Sequence, residues 1–155
     1  MHNLNVQVKV LDSKCVPPKS ATEFSAGYDL IANIKEPIEI FPTTKATLIP
    51  TGLALFIGNP NVAGIILPRS GLGHKKGLVL GNTLGLIDAD YQNEWFVSAW
   101  NRGQEPSIVI DPGERIAQVI FIPIIHPEFV AVDHFSEVTD RGMGGFGSTG
   151  KFKTE

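Results

Sequence analysis

Leu78-Val79-Leu80-Gly81-Asn82-Thr83-Leu84-Gly85-Leu86-Ile87-Asp88-Ala89-Asp90-Tyr91-Gln92-Asn93-Glu94 is the stretch on which the fold class turns. Two short apolar runs, Leu78–Leu80 and residues 84–87, are separated by Gly81, Asn82 and Thr83, and Gly85 lies inside the second. Short β segments punctuated by turn residues, with glycine where the backbone needs positive φ, predict a hairpin. The second run then breaks into Asp88, Ala89, Asp90 and Tyr91, so two carboxylates and a phenol stand where an apolar strand should continue. Local consistency tends to fail where function is located, which makes this break a candidate site.

The flanking sequence repeats the same pattern. Leu4, Val6, Val8 and Val10 alternate with polar residues as a half-buried strand does. Further short strands are predicted at residues 30–34, around Ile38 and Ile40, and at 47–49, 53–57 and 62–67. Pro50-Thr51-Gly52 and Gly58-Asn59-Pro60-Asn61 are read as turns between them. After the central stretch, residues 95–100 alternate again, and 107–110, 115–122 and 129–132 complete the set. The loop from Arg69 to Gly77 has room for one helical turn, but its glycines forbid more. About ten short strands without a helix of ordinary length predict an all-β jelly roll, sandwich or barrel. One domain is expected over residues 1–139. From 140 to 155 the chain has too few apolar residues to pack and reads as a mobile arm.

Composition narrows the function. Sixteen Gly and eleven Pro in 155 residues are too many for a helical bundle. A net charge of −3 and a pI near 5.8 argue against nucleic-acid binding, so a polyanionic ligand would have to be met by local donors. Cys15 is the single cysteine, which excludes an internal disulfide and points to a reducing compartment. No apolar run reaches membrane-spanning length and the N-terminus lacks signal-peptide character, so a soluble, cytoplasmic chain is expected.

Four stretches could carry chemistry. Arg141-Gly142-Met143-Gly144-Gly145-Phe146-Gly147-Ser148-Thr149-Gly150 offers backbone N–H groups and side-chain donors to an anion, although it is not a Walker A loop. A frayed terminus is the bland reading; Phe146 weighs against it, since a planar base is one surface for that ring to lie on. Arg69-Ser70-Gly71, with His74, Lys75 and Lys76, is the most cationic patch, and the lysines read equally as a solvated turn. Gln118 is either an outward-facing residue of an alternating strand or a donor into a site. Asp88 and Asp90 share a face in a regular strand, with Tyr91 on the other. They could bind a metal, divide acid and base roles, or simply cap a turn.

Taken in order, five segments resemble the trimeric dUTP diphosphatase (dUTPase) family over nearly the whole chain. They are Ser25-Ala26-Gly27-Tyr28-Asp29-Leu30, Pro68-Arg69-Ser70-Gly71-Leu72-Gly73, Gly81-Asn82 through Ile87-Asp88-Ala89-Asp90-Tyr91, Gly113-Glu114-Arg115-Ile116-Ala117-Gln118, and the glycine-rich arm. Thr83-Leu84 departs from the family's usual small residue and proline, and Asn93 from its usual glycine.

The resemblance implies a jelly-roll fold, a homotrimer with active sites shared between subunits, and Mg²⁺-dependent hydrolysis of dUTP to dUMP and pyrophosphate. It implies that Asp88 is the general base, that Tyr91 packs on deoxyribose, and that Asn82, Leu86 and Ile87 read uracil, with Phe96 as a further contact. Arg69, Ser70, Gly71 and Gln118 would hold the α- and β-phosphates. Arg141, Gly147, Ser148 and Thr149 would close on the γ-phosphate while Phe146 stacks on uracil. Asp29, behind the hairpin, and Asp90 would be supporting residues. The ion would be held mainly by the triphosphate, with no direct protein ligand assigned. A dCTP deaminase, which shares this fold, is the nearest rival enzyme, and a non-catalytic jelly-roll assembly module is a rival of another class.

Overall fold

The computed structural model describes residues 4–42, 45–103, 105–139 and 141–144. Ten strands run in chain order: β1 Gln7–Val10, β2 Tyr28–Ile31, β3 Ile38–Ile40, β4 Thr47–Phe56, β5 Val62–Pro68, β6 Leu78–Leu80, β7 Gly85–Ile87, β8 Glu94–Asn101, β9 Ile108–Ile110 and β10 Arg115–Pro123. They form two antiparallel four-stranded sheets, β1-β4-β8-β6 and β2-β10-β5-β7, and a small β3-β9 pair. This all-β architecture of antiparallel sheets is the class, jelly roll, sandwich or barrel, that the spacing of apolar runs predicts. The only helix among the described residues is one π turn, Leu72–Lys76, and none is long and apolar enough to cross a membrane.

Two-residue periodicity explains the core. Along β8, Trp95, Val97 and Ala99 are buried while Phe96 is exposed. Ile49, Leu53 and Leu55 of β4 join them, and Leu30, Ile66, Ala117 and Val119 of the second sheet complete the same apolar cluster. Trp95 is wholly enclosed, and its indole N–H donates to Leu55 O at 3.2 Å, so the largest buried side chain leaves no polar atom unmatched.

Three predicted elements come out differently. Pro50-Thr51-Gly52, read as a turn, lies inside the ten-residue β4, where the pairing with β8 slips between Pro50 and Ala54. Gly52 at φ 69° bends the strand, its N–H donates to Glu94 Oε1 at 2.7 Å, and the buried Thr51 hydroxyl donates to Trp95 O at 2.8 Å. These acceptors, supplied from β8, turn a local break into a bulge. The two runs of the central stretch are not a hairpin: β6 pairs with β8 and β7 with β5, so the chain crosses from one sheet to the other between them. Residues 129–132 form no strand. Phe129 and Val130 are exposed, and no strand among the described residues of their unit offers them a ladder.

The chain divides into two compact units, Met1–Ile125 and His126–Glu155. The first contains every strand found among the described residues. In the second, Gly142 N–H donates to Thr139 O at 2.9 Å and Gly144 N–H to Arg141 O at 2.8 Å, two successive tight turns.

Candidate active site

Strand β5 ends at Pro68 and delivers Arg69 to the mouth of a cavity of about 780 Å³. Ser25, Gly27 and Asp29 from the β2 side, Arg69, Ser70 and Gly71 from the β5 exit, Lys75 and Lys76 from the π turn, and Gln118 of β10 all line it. Three of the five sequence segments therefore converge on one hollow because β2, β10 and β5 are neighbours in one sheet.

The donors are fixed before any ligand arrives. Arg69 Nε sits 3.1 Å from Asp29 Oδ1, and its Nη1 donates to Arg115 O at 3.0 Å. Arg115 Nη1 reaches the other Asp29 oxygen at 3.0 Å. Asp29 thus bridges the guanidinium groups of Arg69 and Arg115. Gln118, half-buried, is among the lining residues and donates Nε2–H to Pro68 O at 3.1 Å. Gly27 makes room for it, since a Cβ placed there would stand 2.7 Å from Gln118 Oε1.

Asp88 and Tyr91 lie elsewhere. β7 stops at Ile87, and Tyr91 N–H donates to Asp88 O at 3.2 Å, so residues 88–91 make a reverse turn. The facing rule for Asp88, Asp90 and Tyr91 therefore does not apply, because it assumed a strand. Gly58 N–H holds the turn at Ala89 O, and Tyr91 donates its hydroxyl hydrogen to Glu94 O at 3.1 Å, which presents the face of the ring. Asp88 is exposed, and its carboxylate makes no hydrogen bond or ion pair with any described residue, so it is open to water. Leu86 and Ile87 lie on β7, beside Ile65 and Gly64 of β5.

Asn82 belongs to the crossing between the sheets. Leu84 N–H donates to Asn82 O at 2.7 Å across Thr83, whose φ is 67°, a three-residue turn that is strained for a β-branched residue. Gly81 is required on steric grounds, since a Cβ there would run into Ala46 Cβ and come within 3.1 Å of Ser98 Oγ. Phe96 sits on the outer face of the other sheet, at 40% exposure, opposite Pro50.

The two groups are set apart by the sheet itself. Ile87 pairs with Gly64, so Asp88 follows toward Ala63, whereas Arg69 leaves the far end of the same strand. At about 3.3 Å per residue, that separation is roughly 20 Å along β5. Arg141 is exposed in the second unit. Phe146, Gly147, Ser148 and Thr149 lie outside the described residues.

No set of three or more His, Cys, Asp or Glu side chains among the described residues is placed to hold a metal ion. Cys15 is no candidate nucleophile: it is buried, and desolvation, with Asp12 and Glu94 nearby, raises its thiol pKa. What sequence reasoning missed are the partners of Arg69. No local pattern links Asp29 to Arg69, whereas Lys75 and Lys76, read as a cationic patch or a solvated turn, line the cavity.

A family model described as dUTPase matches residues 13–150. The chain is 50% identical over 156 residues to a deoxyuridine 5'-triphosphate nucleotidohydrolase of Legionella pneumophila (strain Paris), a match that covers 98% of this chain and all of that protein. A protein of the same name from Coxiella burnetii (strain Dugway 5J108-111) is 54% identical over 151 residues, 95% of this chain and 97% of that one. Among solved structures, the dUTPase of Staphylococcus bacteriophage 80alpha with dUPNHPP matches with a TM-score of 0.83 at 29% identity, over 96% of this chain and 99% of that chain.

Proposed function

This chain belongs to the dUTPase family, and from that premise we propose that it hydrolyses dUTP to dUMP and pyrophosphate in sites assembled from more than one copy of itself. The observation that carries this reading is the separation of the two residue groups. A single α-phosphorus has to be gripped by Arg69, Ser70, Gly71 and Gln118 and attacked by water beside Asp88. With those groups about 20 Å apart on one chain, the cavity of one copy must face the Asp88 turn of another. Leu48 and Phe96, on the outer face of adjacent strands, leave apolar surface that a neighbouring copy would cover. A homotrimer with shared sites fits these facts.

Within such a site the division of labour follows from position. The carboxylate of Asp88, unengaged by other described residues, accepts a proton from the attacking water as the α-phosphorus–oxygen bond to the leaving pyrophosphate breaks. The Tyr91 ring, held by Glu94 O, packs on deoxyribose and leaves no room for a 2′-hydroxyl. Asn82 and the backbone of Leu86 and Ile87 read uracil as one strand reads another. Arg69 and Gln118, pinned by Asp29 and Pro68, hold the phosphates without having to reorganise. Arg141 and the arm from Phe146 to Thr149 close over the nucleotide and exclude other water. The described residues offer no protein ligand set for Mg²⁺, so the triphosphate would carry the ion, which would neutralise charge developing on the phosphate oxygens.

Pyrophosphate release from dUTP, dCTP, dTTP and UTP tests the reaction, with dUTP alone expected to turn over efficiently. Ammonia release from dCTP without pyrophosphate would favour a deaminase instead. Shared sites are tested by unfolding and refolding inactive Asp88→Asn and Arg69→Ala chains together. Recovered activity is expected, because some sites then combine an intact Asp88 with an intact Arg69; a mixture as inactive as its components would place each site within one chain.

A further inference from the structure

Lys75 and Lys76 line the same cavity as Arg69, Ser70, Gly71 and Gln118. They reach it through the unusual shape of the loop. Gly73 N–H donates to Arg69 O at 2.8 Å, and Gly77, at φ 79°, donates its N–H to Leu72 O. The backbone therefore winds in one wide turn that begins at Arg69 and brings its last two residues back over its first. Turns of the π type are rare and recur at functional sites.

Charge gives these two residues a role. Arg69 is paired with Asp29 at 3.1 Å, and Arg115 takes the other oxygen of the same carboxylate at 3.0 Å, so the guanidinium of Arg69 is committed to a protein partner. Neither Lys75 nor Lys76 has an ion-pair partner among the described residues. Among the residues that line the cavity, Lys75 and Lys76 are therefore the cations that no carboxylate among the described residues engages. We infer that Lys75 and Lys76 supply the electrostatic attraction for the β- and γ-phosphate end of the substrate, while Arg69 acts as a pre-aimed hydrogen-bond donor. This assignment rests on reading the cavity as the phosphate site of dUTP hydrolysis. It accounts for how a chain with a net charge of −3 attracts a polyanion: the charge is concentrated in one hollow, where low-dielectric walls focus the field.

The test uses the full chain with Lys75→Gln, Lys76→Gln and the double substitution. Turnover of dUTP is measured across a range of salt concentrations, and calorimetric titrations use inorganic pyrophosphate and a non-hydrolysable imido analogue of dUTP. The double variant is expected to raise KM and weaken both ligands roughly tenfold, with kcat within about threefold of wild type. The dependence of kcat/KM on salt should flatten. A Lys75→Arg, Lys76→Arg double should restore both readings, and Lys35→Gln, remote from the cavity, should change neither. Unchanged KM, unchanged ligand affinity and an unchanged salt slope in the glutamine double would overturn the assignment while leaving dUTP hydrolysis standing. A wild type that releases no pyrophosphate from dUTP, yet binds pyrophosphate in a lysine-dependent way, would overturn the reaction and keep the charge assignment.

Discussion

Asp88→Asn preserves the size and shape of a side chain that touches no described partner, and removes only its capacity to take a proton. Turnover is expected to vanish, while affinity for a non-hydrolysable dUTP analogue stays within about tenfold of wild type, since a base acts mainly in the transition state. Comparing steady-state kinetics with equilibrium titration checks this, and hydrolysis near the wild-type rate would assign the base elsewhere. Gly27→Ala makes a different point. The added methyl meets the end of the Gln118 side chain at 2.7 Å, a flexible group that can move aside. Stability should change by less than about 1 kcal/mol, but the displaced amide loses its aim, and kcat/KM should fall roughly tenfold or more. A thermal melt alongside the kinetics separates the two effects. Gly27 and Gln118 are both prominent in the sequence, but that one exists to make room for the other is visible only once β2 and β10 lie side by side.

The bulge in β4 shows why some elements resist reading from sequence. Pro50-Thr51-Gly52 has every local mark of a turn, and what overrides it is a carboxylate and a carbonyl on β8. Thr51→Val removes the hydroxyl that donates to Trp95 O at 2.8 Å, inside the core. The expected loss is about 1–3 kcal/mol, measured by denaturant unfolding; a variant as stable as wild type would mean that Gly52 and Glu94 hold the bulge unaided. The same limit applies at Leu78–Leu80 and Gly85–Ile87. Their strand character was legible in apolar runs and glycines, but their assignment to different sheets was not, because the choice of partner strand is made by the whole core. Residues 129–132 failed for a related reason: alternation marks a segment able to be a strand, and pairing decides whether it is one.

At the level of the whole chain, every strand among the described residues lies within Met1–Ile125, and His126–Glu155 forms a unit of its own. Ending the chain after Thr139 is therefore expected to leave the unfolding transition of the strand-bearing unit in place while removing most dUTP hydrolysis. A circular-dichroism melt with a pyrophosphate assay checks both halves; full activity in the shortened chain would deny the arm any part in closing the site. The motif residues that line the cavity were legible as short segments of unusual composition. Their division into two groups was not, because nothing in a linear sequence says that Arg69 and Asp88 leave opposite ends of one sheet.

That opposition has a consequence for how the protein is handled in dilute solution. If each catalytic centre draws its grip from one molecule and its carboxylate from another, a solitary molecule is inert however well it folds. Specific activity then becomes a gauge of self-association: it should be constant while the oligomer holds and should decline once dilution releases the subunits.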